Sequence, residues 1–206
     1  MKVILVNGSP HEKGCTYTAL CEAAQVLESS GVKTEIFWVG AKPLAGCTGC
    51  GGCRVKGECV FGDRVNEFVK LAGGADGFIF GSPVHYASIS GAICSFMDRA
   101  FYSGGAAMAG KPAAGVVSCR RGGASAAFDA LNKYFTINCM PIVSSQYWNQ
   151  VHGNSPEEVR RDEEGLQTMR TLGRNMAWLI KCIEAGKAAG AVFPERESVI
   201  RTNFIR

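Results

Sequence analysis

The chain has 206 residues, 47% apolar and 19% charged, a balance that folds rather than stays disordered. That length suits one domain with a sizeable core. The net charge of +4 comes from Lys and Arg scattered among acids, and no stretch approaches the roughly 20 apolar residues of a membrane span, so neither nucleic acid nor membrane is expected as a partner.

The opening MKVILVNGSP holds a continuous apolar run that stops at a turn, as in a strand buried on both faces. It lacks the length and cleavage site of a signal peptide, so a cytoplasmic protein is expected. From Thr16 to Ser30, Leu20, Ala23, Ala24 and Leu27 recur at helical spacing, with Gly31 as the C-terminal cap. Residues 33–40 read as a second strand, followed by a cysteine-bearing insertion at 44–60 and a helix from about Arg64 to Ala72. GFIFGSP (77–83) is a third strand, and the helix after it carries Ile89, Ile93 and Phe96 on one side toward Phe101. YSGGAAMAGKP (102–112) reads as a loop. AAGVVSC (113–119) is a fourth strand, followed by RRGG and a helix through Phe128, Leu131 and Phe135. MPIVSSQYW (140–148) is a weaker fifth strand. One long helix then opens at Asn154 or Ser155, with Pro156, Glu157 and Glu158 suited to its first turn. Leu166, Met169, Leu172, Met176, Leu179 and Ile183 mark its buried face.

Strands alternating with helices predict an α/β fold, a doubly wound five-stranded parallel sheet of flavodoxin-like type in three α/β/α layers. Residues 1–186 form this domain and 187–206 a C-terminal extension. Ligands in such sheets sit beyond the carboxyl ends of the strands at the switch point. The informative turns are therefore NGSPHEKGCT, GSPVHYASIS and SCRRGGA.

The first turn places Gly8, Ser9, Gly14 and Thr16 directly before a helix, where free N–H groups and the positive dipole end suit a phosphate. A nucleotide P-loop would need Lys after the second Gly; Cys15 and Thr16 stand there, and the Rossmann spacing is absent too. The second turn joins a rigid Pro83 to His85 and Tyr86, which can lie along a flat ring or be exposed loop residues. The third offers glycines and two cations.

Together, NGSPHEKGCT and GSPVHYASISGAICSFMDR resemble the NAD(P)H-dependent FMN reductase and iron–sulfur flavoprotein branch of the flavodoxin-like proteins, over nearly the whole chain to about residue 185. The resemblance implies an FMN site. Ser9, Gly14, Cys15 and Thr16 would hold the phosphate; Pro83, Val84, His85 and Tyr86 would flank the isoalloxazine ring; Ser118, Arg120, Gly122 and Gly123 would sit at its polar edge. Two positions depart from the family pattern, since Asn is common where Cys15 stands and an aromatic is usual at His85.

CTGCGGCRVKGEC sets Cys47, Cys50, Cys53 and Cys59 in one glycine-rich loop. In a reducing compartment such clusters bind metal or act in redox chemistry rather than forming disulfides. Overlapping two-residue gaps favour a [4Fe–4S] cluster over structural zinc, whose ligand pairs usually stand farther apart. The resemblance points the same way, although many similar reductases keep cysteines in this loop without a cluster; the alternative is a loop that packs at a subunit interface, its cysteines free thiols or an oxidised pair. Cys21, Cys94 and Cys182 fall in expected helices and read as small apolar core residues.

The expectation is an FMN-dependent oxidoreductase in which NAD(P)H reduces the flavin, which passes electrons to a quinone, a free flavin or a one-electron protein partner. The cofactor carries the chemistry, so no residue is assigned as catalytic. The resemblance implies a homodimer or homotetramer, with a neighbour's flavin as the cluster's partner. Two rivals remain open. A flavodoxin-type electron carrier would have no substrate of its own, although flavodoxins are strongly acidic. A zinc-bearing interaction scaffold would bind no ligand at the three turns.

Overall fold

In a computed structural model, residues 1–198, 200–202 and 204 are described. The expected C-terminal extension includes residues 199, 203, 205 and 206, which lie outside them. The elements run β1 (Lys2–Asn7), α1 (Cys15–Ser29), β2 (Lys33–Trp38), α2 (Gly52–Lys56), α3 (Arg64–Ala72), β3 (Gly77–His85) and β4 (Ser88–Ile89). They continue as α4 (Gly91–Met108), β5 (Ala113–Cys119), α5 (Ala124–Ile137), β6 (Gln150–His152), α6 (Pro156–Val159) and α7 (Glu163–Ala188).

Five strands pair in parallel in the order β2-β1-β3-β5-β6, while β4 turns back antiparallel along the end of β3. This is the expected doubly wound, flavodoxin-like sheet, with its order reversing between β1 and β3. Alternation along β1 divides the core between the two faces. Ile4 and Val6 join Phe37, Phe68, Phe78, Phe80, Phe96 and Phe135 beneath α3, α4 and α5. Val3 and Leu5 join Leu20, Leu27, Leu172 and Met176 beneath α1 and α7. Phe68 sits at the centre of the first cluster, its ring centroid 5.2–6.1 Å from those of Phe37, Phe78, Phe80 and Phe96. Each such ring, fully buried, contributes about 1.5–3 kcal/mol. Among the described residues no helix is long and apolar enough to cross a membrane.

Four expectations need correction. Residues 140–148 are not a continuous strand. Ala113 N–H donates to the Pro141 carbonyl (2.9 Å) and Val143 N–H to the Ala113 carbonyl (2.8 Å), after which the chain leaves the sheet. Ser145 then folds it into a turn, its hydroxyl donating to the Tyr147 carbonyl at 2.6 Å, and pairing resumes only at Gln150. Residues 102–108 are helix rather than loop. Gly104 serves contact there, since a Cβ would lie 2.4 Å from a methyl of Val69 on α3.

The long C-terminal helix is split. Asp162 caps α7 by accepting from Gly165 N–H (2.9 Å) and accepts from His152 N–H (2.6 Å), which restarts the helix after α6. α7 then runs to Ala188. Finally, Cys182 is exposed and Cys21 only half-buried, whereas half-buried Cys94 packs against the core as expected.

Candidate functional site

The carboxyl ends of β1, β3 and β5 meet at the switch point, and short polar bonds join their turns. Gly8 N–H donates to the Gly81 carbonyl (2.9 Å), Ser90 Oγ donates to the Gly8 carbonyl (2.9 Å), and Ser90 N–H donates to Ser82 Oγ (3.0 Å). Thr16 Oγ1 and Ser118 Oγ, both buried, lie 2.8 Å apart and tie the first turn of α1 to the end of β5. The walls of the crevice are thus held by bonds that need no ligand.

The first turn is locked by its own side chains. Asn7 Nδ2 donates to the Glu12 carbonyl at 2.8 Å, and Asn7 Oδ1 accepts from Ser9 N–H at 3.1 Å. Ser9 Oγ accepts from His11 N–H at 3.1 Å, while the Trp38 indole N–H donates to the Ser9 carbonyl at 2.8 Å. Gly14, at the N-cap of α1, has no side chain to cap the helix, and the first turn carries no acid. By helix geometry the N–H groups of Cys15, Thr16 and Tyr17 therefore lack intrahelical partners at the positive end of the dipole, an arrangement that suits a phosphate. The Cys15 thiol is engaged elsewhere, 3.7 Å from the Gly153 carbonyl, and burial pushes its pKa up. Backbone groups rather than that thiol would meet an anion here.

Beyond half-buried Pro83 and Val84, β3 turns into β4 through a two-residue hairpin at Tyr86 and Ala87, with His85 paired to Ser88. Both hairpin residues have positive φ, 49° and 59°, as the twist of such a turn demands, and neither is the glycine or asparagine that adopts it readily. Tyr86 is consequently held fully out in solvent, and His85 is exposed beside it. Opposite, Arg120 and Gly122 are exposed. Gly123, at φ +87°, brings its backbone so close to the hairpin that a Cβ would lie 2.6 Å from Ala87 Cα.

The four cysteines of the insertion form a second locus. With Arg99, Tyr102 and Ser103 of α4 and Phe61, they line a cavity of about 200 Å³. Gly51 and Gly57, both with positive φ, bracket α2 and turn Cys50, Cys53 and Cys59 toward this space. All four are free; Cys47 and Cys50 are exposed, Cys53 and Cys59 half-buried. The Gly52 N–H and the Thr48 hydroxyl lower the pKa of Cys50.

Arg99, with a side chain 1% exposed, makes two 2.8 Å bonds to the Asp63 carboxylate and directs Nε at Cys59 Sγ, 3.2 Å away. Burial alone would raise the Asp63 carboxyl, but the Arg99 guanidinium and the Val65 N–H hold it below its ordinary value. Among the described residues no three His, Cys, Asp or Glu side chains group closely enough to hold one metal ion. Sulfurs around a single zinc at about 2.3 Å would stand about 3.8 Å apart, whereas a multi-iron cluster spreads its four thiolates wider, one to each iron. Four thiols lining one cavity are the kind of donor set that holds an iron–sulfur cluster or a zinc ion.

Every residue expected at the phosphate, the ring and the polar edge lies on the three turns or the segments that flank them, and the four cysteines line a common cavity. Ser82 and Ser90, which bind the turns together, carry no sequence signal beyond a hydroxyl. Arg99, Asp63 and Asn66, which surround Cys59, were also missed. The available signal was an arginine three residues after Phe96, on the buried stripe of α4.

A sequence profile of the family described as NADPH-dependent FMN reductase matches residues 1–154. An iron-sulfur flavoprotein of Methanocaldococcus jannaschii is 32% identical over 89% of this chain and 100% of its own length. A second from that organism is 31% identical over 84% of this chain and 94% of its own. One from Methanosarcina thermophila is 23% identical over 91% of this chain and 99% of its own. Among solved structures, an NADH:FMN oxidoreductase superposes with a TM-score of 0.64 at 17% identity, covering 86% of this chain and 89% of that one. An archaeal flavodoxin does so with 0.61 at 16%, covering 88% and 99%. At those identities the structures speak for the fold alone.

Proposed function

The chain belongs to the NADPH-dependent FMN reductase family, and from that premise we propose that it binds FMN in the crevice and transfers electrons from NADPH or NADH to a small-molecule acceptor or a one-electron redox protein. The observation that carries this reading is the uncapped, acid-free N-terminus of α1 opening onto the switch point between the Thr16–Ser118 pair and the β3–β4 hairpin. Bound FMN would supply hydride acceptance and one- or two-electron transfer. The protein's part is positional. The N–H groups of Cys15, Thr16 and Tyr17 hold the phosphate, with Ser9 and Gly14 shaping the turn. Pro83, Val84, His85 and Tyr86 flank the ring, and Ser118, Arg120, Gly122 and Gly123 line its polar edge. The net charge of +4 disfavours the flavodoxin-type carrier, whose acidity steers it to partners.

The proposal extends to the second locus, where Cys47, Cys50, Cys53 and Cys59 would hold a [4Fe–4S] cluster supplying one-electron transfer. Exposed Val60, Phe61 and Tyr102 line that cavity, an apolar rim suited to a second copy of this chain in a homodimer or homotetramer. The test is an absorbance spectrum of anaerobically purified protein, with iron, acid-labile sulfide and NADPH or NADH oxidation measured on the same sample. Protein with no flavin that takes up none of the added FMN sinks the reading. Flavin without iron leaves an FMN reductase and removes the cluster. Negligible NAD(P)H oxidation with a quinone or dye acceptor would favour the carrier.

A further inference from the structure

We propose that Arg99 is a positioning residue for the cysteine locus, fixing the Cys59 sulfur and raising the reduction potential of the cluster held there; this rests on reading the four cysteines as cluster ligands. An arginine buried in the apolar stripe of α4, beside Phe96 and Ala100, is costly unless each of its donors is met. Asp63 meets two of them through the 2.8 Å fork, the Ala45 carbonyl accepts from Nη1 at 3.2 Å, and the Phe61 ring lies 4.6 Å from Cζ. A fourth of its five donors, Nε–H, goes to Cys59 Sγ at 3.2 Å. A neutral thiol is a weak acceptor, whereas a metal-bound thiolate is a strong one.

The backbone of Cys59 is clamped as well. Its N–H donates to Asn66 Oδ1 (3.2 Å) and its carbonyl accepts from Asn66 Nδ2 (2.8 Å), with Asn66 itself buried. The other three are held less: the Cys50 sulfur meets only the Gly52 N–H and the Thr48 hydroxyl of its own loop, and Cys53 Sγ comes only within 3.8 Å of the Tyr102 carbonyl. Cys59 is thus held at both its backbone and its sulfur by side chains of the neighbouring helices, and Arg99 aims the sulfur. Adding one electron to a cluster adds one negative charge and breaks no bond. A cationic N–H donor on a ligand sulfur favours the reduced form and so raises the potential. Lysine could keep the charge but not the planar fork that serves Asp63 and Cys59 together.

The experiment compares Arg99→Lys and the paired variant Arg99→Gln/Asp63→Asn, which leaves no unpaired carboxylate, with the wild-type holoprotein purified anaerobically. Iron, sulfide, FMN content and thermal midpoint are measured first, then the cluster and flavin couples by EPR-monitored redox titration. In the paired variant the cluster's reduction constant should fall about tenfold, which is about 59 mV for one electron, with the flavin couple unmoved; Arg99→Lys should fall less. Loss of iron from the paired variant alone, with FMN kept and iron restored in Arg99→Lys, also supports the role. Loaded variants with the wild-type cluster potential overturn it, as does joint loss of iron and FMN, which would make Arg99 a brace of the fold. Wild-type protein containing flavin but no iron removes the underlying cluster reading, and the proposal with it.

Discussion

The crevice and the cysteine cavity are built by opposite means. The crevice is walled by the ends of three core strands and joined by backbone groups and small hydroxyls, so the sheet that folds the protein also shapes it. The cavity belongs to an insertion with no strand in it. Two of its four thiols are exposed, and its order comes from one buried arginine and the residues around Cys59. A site made from the sheet inherits the stability of the core, whereas a site made by an insertion depends on a few side-chain contacts and on what it binds.

The strongest test of that independence is the variant in which Cys47, Cys50, Cys53 and Cys59 are all serine. Iron should drop from about four per chain to none, with FMN content and thermal midpoint close to wild type. Loss of FMN as well would mean that the two regions are coupled through α4, which starts beside Ser90 in the crevice and carries Arg99 about 14 Å farther along at about 1.5 Å per residue.

The converse test is Gly123→Ala. A side chain there must take a left-handed backbone and displace Ala87 Cα, which together cost about 3 kcal/mol. FMN affinity, read by quenching of flavin fluorescence, should fall at least tenfold while iron content is kept. Unchanged flavin affinity would mean that the close approach of this loop to the hairpin does not shape the crevice.

How far each region can be read from sequence follows the same division. β1, β3 and β5 are legible because each is an uninterrupted apolar run ending in turn residues, and the phosphate turn because glycines and hydroxyls sit just before a helical pattern. The edge strand is misplaced because Met140–Trp148 is rich in strand formers, while pairing there depends on where Ser145 turns the chain out of the sheet. Gly104 reads as a loop residue because its reason for being glycine is Val69 on another helix. The cysteine spacing is visible at once, but the role of Arg99 is not. Its partners Asp63 and Cys59 lie 36 and 40 positions away, and an arginine on an amphipathic helix ordinarily marks the wet face.

Acid should separate the regions as well. The carboxyl of Asp63 titrates below its unfolded value, so its contribution to stability is complete at neutral pH and is lost as the pH falls through the folded pKa. Asp63→Asn should therefore cost about 2 kcal/mol at neutral pH, the scale of hydrogen bonds to a charged group. The gap to wild type should close below the ordinary aspartate range. A gap that persists unchanged into acid would show that the carboxylate's charge is not what holds Arg99.

The smallest effect is expected inside the crevice wall, at the Thr16–Ser118 pair. Thr16→Val nearly preserves shape but leaves the Ser118 hydroxyl buried and without that partner, a loss of about 1 kcal/mol in chemical denaturation. Adding Ser118→Ala removes the orphaned group and should recover most of that loss, because two apolar surfaces can replace a matched polar pair. Flavin affinity should follow a different order. If the pair only ties α1 to β5, the double variant binds FMN as wild type does. If Ser118 also donates to the flavin, affinity stays low after stability returns, and the split between the two measurements assigns the hydroxyl to the ligand rather than to the fold.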